Sequence, residues 1–291
     1  MRLEYRFTAI LVVCLLLGMI AAGLISYRIE TRQAEDEIIQ NAEMLMETAM
    51  AIRSYTISEV RPLLRKHPSD EFLPQTVPSY SAQTALGKLK NSFPDFNYRE
   101  AALNPTNVAD RASDWEVGLI RRFQAEPDTR ELSGTISHAN GERYYIARPI
   151  RITNPACLSC HSTPEAAPPA MIAKYGAANG FGWKVNEVVG AQIVEVPVTR
   201  AWKAAKSSIT ITLGALLCIF LLTFVIFLAM FRRYVTRPLE SITRNTEEIS
   251  LDKRPDPNAP QVGGQFKTLE QAIDRLRVSV DHAISIIGRD K

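Results

Sequence analysis

Two cysteines and a histidine within five consecutive residues, Cys157-Leu158-Ser159-Cys160-His161, are the stretch of this sequence with the most definite chemistry. At the spacing Cys-x-x-Cys-His, two thiols add across the vinyl groups of a porphyrin and the adjoining imidazole becomes the proximal ligand of its iron. The pattern implies one covalent haem c, with Cys157 and Cys160 as the attachment residues and His161 on the iron. Two plainer readings compete. Structural zinc takes about four Cys or His ligands, usually in two clusters, but the other cysteines, Cys14 and Cys218, lie inside apolar runs. A disulfide or thioredoxin-like pair between Cys157 and Cys160 needs no His161, and no strand-then-helix pattern of that type surrounds it.

Two uninterrupted apolar runs set where this motif can stand. The hydrophobic residues, 46% of the 291, are concentrated in them, which points to a membrane protein. Phe7 to Ile25 carries no charged side chain, is bracketed by Arg6 and Arg28, and is long enough to cross a hydrocarbon core of about 30 Å. It exceeds the apolar core of a signal peptide, so an uncleaved anchor is expected, with cleavage near Ala21-Ala22-Gly23 as the alternative. Ser207 to Phe231 is the second run, followed by Arg232-Arg233 and Arg237. Arg2 and Arg6 at the other end place both termini on the cytoplasmic side by the positive-inside rule. A two-pass protein of a bacterial inner membrane follows, and its intervening segment faces the periplasm, where haem is attached to Cys-x-x-Cys-His. The organisation expected is an anchor over residues 1–27, an outer domain over 28–206, a second span over 207–231 and a cytoplasmic part over 232–291. Net charge is only +3, with basic residues scattered among acidic ones, which excludes an electrostatic footprint for nucleic acid.

In the outer segment, Ile38, Ala42, Leu45, Ala49 and Ile52 recur at steps of four and three without Gly or Pro before Pro62. This predicts that the first membrane helix continues outward as a long amphipathic helix able to pair with a second copy. Met44, Met46 and Met50 on it read as packing residues, with iron ligation as the rival role. Further on, the residues predict a helix over Ser81–Lys90, a strand over Asn97–Ala102, and a helix from about Asp114 to Gln124 capped by Ser113 or Asp114. A hairpin of Leu132–His138 and Glu142–Ile150 turns on Asn140-Gly141, and a closing strand spans Val188–Val198. The fold class is therefore α/β, an antiparallel sheet with helices. Phe181 and Trp183 supply aromatic surface that either covers a porphyrin face or belongs to the core.

Past the second span, Val235, Leu239, Ile242 and Ile249 fit a heptad seam around Pro238, with polar Thr246 filling one position. A stretch with Pro255, Pro257, Pro260, Gly263 and Gly264 follows, and then Phe266, Leu269, Ile273, Leu276, Val280, Ala283 and Ile287 alternate by three and four. Two seams joined by a non-helical connector are half of a four-helix homodimer, the alternative being two amphipathic helices lying on the membrane surface.

The cytoplasmic part resembles a HAMP domain, with Arg237-Pro238-Leu239 matching its opening motif, although Gly263-Gly264-Gln265-Phe266 stands where the second helix normally opens with an acidic-Glu-x-Gly pattern. The outer segment resembles the Tll-type haem-binding sensor domain family (DUF3365), PAS-like domains carrying one c-type haem. Matching residues are Tyr98-Arg99-Glu100, Asn104-Pro105-Thr106-Asn107, Trp115-Glu116, the Cys157–His161 motif, Gly180-Phe181-Gly182-Trp183 and Val189-Gly190-Ala191. In that family the first helix can supply the sixth iron ligand from a cysteine, and no cysteine lies between Arg28 and Ala156 here. Tyr55 and His67 are the distal candidates, with His138 the remaining outer histidine and an open sixth position the alternative.

The reading that unites these features is a receptor in which an outer haem senses redox state or a diatomic gas. The cytoplasmic bundle would relay the change to a separate signalling partner, since no kinase, cyclase or methylation region follows. A membrane-tethered electron-transfer cytochrome is the alternative, but it has no use for a cytoplasmic bundle or a second span. No positioned acid–base constellation points to an enzyme.

Overall fold

The computed structural model describes residues 3–67, 70–250 and 265–287. It divides into two units, one of residues 28–208 and one of residues 1–27 with 209–291. Helix α1 runs Leu3–Tyr55, and a π turn, Thr56–Val60, carries it into α2, Arg61–Arg65. Then come α3 (Pro78–Leu89), α4 (Asp114–Ala125), α5 (Leu158–His161), α6 (Pro169–Tyr175), α7 (Thr199–Phe231), α8 (Arg237–Ser250) and α9 (Gln265–Ile287). Strands β1 (Asn97–Ala102), β2 (Leu132–His138), β3 (Gly141–Arg151) and β4 (Val188–Pro197) form one antiparallel sheet in the order β1-β4-β3-β2.

In the sheet unit, β4 is central and buried along nearly its whole length, as its β-branched sequence requires. Its alternating side chains supply two cores. Val194 and Val196, with Tyr98 and Ile146, meet Ala34, Ile38, Ala42, Leu45, Met46 and Ala49 of α1. The stripe expected to face a second copy is therefore covered within the chain, because the β-branched face of the sheet lies against it. Met46 packs in this core, whereas Met44 is exposed. On the other face Ala191 and Ile193, with Ala101 and Ala147, meet Leu119, Ile120 and Phe123 of α4.

Local chemistry fixes the ends of these elements. Ser113 caps α4 in a reciprocal capping box with Glu116, whose carboxylate also lies 3.0 Å from Arg99 Nε. Helix α3 starts at Pro78, ahead of the expected Ser81, because proline suits a first helical turn. The hairpin loop is Ala139-Asn140, one residue earlier than expected. The positive φ it requires falls on Gly141, at 123°, which already pairs with His138.

The helical unit holds the apolar runs. Among the described residues, two helices are long and apolar enough to cross a membrane, with mean hydropathy 2.7 and 2.9 over their most apolar windows. A π turn, Arg232–Thr236, joins α7 to α8. Ile242 of α8 is buried, while Leu269, Leu276 and Val280 of α9 are exposed. The connector expected around Pro255–Gly264 and the side chains of Ile249, Ala283 and Ile287 lie outside the described residues.

Candidate functional site

The Cys157–His161 stretch follows β3 through a short built turn. The Asn154 side chain accepts from the Ala156 amide at 2.9 Å, and the Cys157 amide donates to the Asn154 carbonyl at 3.0 Å. Pro155 opens the turn, Pro155–Cys157, and α5 continues it. Cys157 and Cys160 are thus three residues apart on helical backbone, which brings both side chains to one face. Both thiols are half-buried and neither is in a disulfide.

Three chain segments converge on His161. Its Nδ1 lies 2.8 Å from the Gly180 carbonyl, which can only accept, so the proton is assigned to Nδ1 and the Nε2 lone pair is left bare. Thr106 Oγ1 stands 3.4 Å from the same Nδ1. The Trp183 indole stacks on the imidazole at 3.9 Å with 13° between the planes. Backbone bonds from Gly182 to the Ser162 carbonyl and from Trp183 to the His161 carbonyl hold the two segments side by side. Asn104 ties in the third, accepting from the Gly180 amide at 3.2 Å and donating to the Phe181 carbonyl at 3.4 Å. Burial lowers the His161 pKa, with the Gly180 hydrogen bond opposing in part. The neutral imidazole, the form that binds metal, is favoured.

Gly180 is the hinge of this arrangement. Its φ is 85°, and a Cβ there would come within 2.7 Å of Thr106 Cα and closer still to Oγ1. Only a residue without a side chain lets its carbonyl reach His161. The donor set, two accessible thiols on one helical face beside an imidazole with Nδ1 engaged and Nε2 free, fits the covalent haem expected from the motif.

The other expected site residues stand apart. Phe181 is half-buried, and its described contribution is its carbonyl. Tyr55 ends α1 and is 61% exposed, and His67 is exposed just after α2. Among the described residues no hydrogen bond, ion pair or ring contact joins either to Cys157, Cys160 or His161. His138 is engaged elsewhere, its Nε2 lying 2.7 Å from Glu195 Oε2.

The sequence alone did not assign roles to Asn104, Thr106 and Gly180. Their motifs were visible, but spacing says nothing about which separated segments meet. A partly buried network lies in the sheet unit. Glu100 pairs with Arg53 and accepts from Tyr98 Oη at 2.7 Å, while the Gln83 side chain takes the Glu100 amide and donates to Asp110 at 3.1 Å. Desolvation raises the Asp110 pKa, and desolvation with the Glu100 charge raises that of Tyr98.

Residues 31–197 match the model of the Tll0287-like family. Among solved structures, the crystal structure of the cyanobacterial heme-protein Tll0287 is similar, with TM-score 0.42 and 16% sequence identity, covering 55% of this chain and 95% of that one. No curated protein matches the chain significantly.

Proposed function

This chain belongs to the Tll0287-like family, and from that premise we propose that it is a membrane-bound receptor carrying one covalent haem c on Cys157 and Cys160, with His161 as the proximal iron ligand. The observation that carries the reading is the set of His161: one nitrogen fixed by the Gly180 carbonyl, the ring clamped by Trp183, the other nitrogen free, one residue after Cys160. When bound, the haem supplies a one-electron couple and an iron position for a diatomic gas.

The chain's own residues supply the rest of the reading. His161 ligates, Gly180 fixes its tautomer and raises its basicity, and Trp183 and Thr106 hold the ring in place. The domain over residues 28–206 would be periplasmic. A change there would bias α1 and, through the HAMP-like pair α8 and α9, a separate cytoplasmic partner docked on a homodimer. This assignment of roles draws support from the two apolar helices flanking the family segment and from the heptad seams beyond the second.

The test is the absorption spectrum of the reduced, detergent-solubilised protein matured in a periplasm, before and after carbon monoxide. Covalent haem retained after denaturation is expected, and should be lost with Cys157→Ser and Cys160→Ser together. A large carbon monoxide shift selects gas sensing, while unshifted six-coordinate bands select redox sensing. Absence of haem in the wild-type protein overturns the reading.

A further inference from the structure

A cleft of about 520 Å³ opens where α1, the stretch before β2 and the strands β3 and β4 meet, and Arg130, Arg148 and Arg151 stand around it. None of the residues that touch His161 lines it. Gln192 of β4 is the one buried member of the lining, 5% exposed, and among the described residues no hydrogen bond reaches its side-chain amide. A buried amide left unpaired costs stability, so the cleft must supply its partner.

The charges around this amide are unevenly matched. Arg148 is paired with Glu47 at 2.7 Å and with Glu131 at 2.9 Å. Arg151 is anchored differently, donating to the Asn186 and Pro127 carbonyls at 2.9 Å each, which leaves its charge uncancelled and its remaining N–H groups uncommitted. Among the described residues no carboxylate pairs with Arg151 or with Arg130, and Asp128 is the one acidic side chain of the lining. Arg130 and Arg151 against Asp128 leave one positive charge, which suits a single anionic group. Met50, Pro127 and Pro149 add apolar walls that fit a hydrocarbon body and that free phosphate would not use.

We propose that this cleft binds a small organic monocarboxylate, whose oxygens are taken by Arg151, Arg130 and the Gln192 amide. The inference stands apart from the haem reading, since the lining shares no residue with the contacts of His161.

The experiment is isothermal titration calorimetry of the full chain in detergent, with acetate, propionate and butyrate as probes and butyramide and inorganic phosphate as controls. At least one of the carboxylates should bind once per chain and more tightly than either control. Gln192→Met keeps the length of the side chain and removes the amide. It should weaken binding at least about tenfold and raise the thermal midpoint of the ligand-free protein, because an unpaired buried polar group is gone. Arg130→Gln, on an exposed side chain, should weaken binding about twofold to fivefold with the midpoint unchanged, and it serves as the test if Gln192→Met does not accumulate. The proposal is overturned if no carboxylate binds, if a control binds as tightly, if either variant keeps the wild-type affinity, or if Gln192→Met lowers the midpoint. The same titration of the doubly substituted Cys157→Ser, Cys160→Ser protein separates this site from the haem reading. Binding to both proteins supports the carboxylate site whatever the haem content, whereas binding only to the doubly substituted one shows that haem fills the cleft and overturns it.

Discussion

The Trp183 indole and the His161 imidazole lie face to face, 3.9 Å apart and within 13° of parallel, while the Trp183 amide is bonded to the His161 carbonyl. One residue therefore holds both the backbone position and the ring plane of the histidine proposed to bind iron. Replacing Trp183 by Ala keeps the backbone bond and removes the stack, worth about 0.5–1.5 kcal/mol beyond its buried area. The expected outcome is a protein that still holds covalent haem but shows a broadened electron paramagnetic resonance spectrum, because the imidazole plane is no longer fixed. Trp183→Phe should restore most of the sharpness. Equal spectra for wild type and Trp183→Ala would show that the stack does not orient the ring.

Gly180 and Thr106 constrain each other. Gly180→Ala brings a methyl group into Thr106 and strains a backbone at φ 85°, and such positions cost about 1–3 kcal/mol. The yield of covalent haem per protein and the thermal midpoint should both fall. Adding Thr106→Ala relieves the collision but not the φ strain, so the double variant should recover part of the loss. Full recovery, or none, would contradict this division.

Tyr98 donates to the buried carboxylate of Glu100, and its pKa is raised by burial first and by the Glu100 charge second. The unfolded chain releases this proton near the ordinary value of 10.0, while the folded chain holds it to higher pH. The folded state thus binds the extra proton above that value, and stability present below it is lost as pH rises past 10. Tyr98→Phe should cost about 1.5–3 kcal/mol at neutral pH, the range for a hydrogen bond to a charged group. Its stability should then fall less steeply than that of the wild type above pH 10. Denaturant titrations of the full chain across pH 8–11 give both slopes, and parallel slopes would show that Tyr98 does not titrate with unfolding.

Much of the sheet unit was legible because its signals are local. Asn97–Ala102 is a strand with the expected limits, and Ser113 caps the expected helix, since propensity and capping act over a few residues. The loop at Ala139-Asn140 was misplaced by one residue, because Asn-Gly marks a turn but not which of its positions takes the positive φ. The stripe from Ile38 to Ile52 was legible as apolar, but not what covers it: periodicity shows that a face must be buried, and only the fold shows that β4 and its neighbours bury it. In the candidate site, Cys157, Cys160 and His161 were singled out by spacing, whereas the Gly180 carbonyl and Thr106 reach His161 from segments far along the chain. Trp183 was anticipated as aromatic cover and is found on the imidazole itself. No local signal carries that kind of information.

The core under α1 also contains Ala201 and Ala205 of α7, so the first and last segments of the sheet unit are packed into the same cluster. Between them in sequence come every strand and the Cys157–His161 motif. A chain leaving the ribosome carries the first segment from the outset and receives the last only after β4 is made, which leaves this side of the sheet unfinished for most of synthesis. Assembly of the unit is consequently a closure event timed by the arrival of α7, and Cys157 and Cys160 are translated before that closure. Shortened versions of the domain that stop at Pro197 would contain the whole motif and still lack the final piece of the wall on which α1 rests.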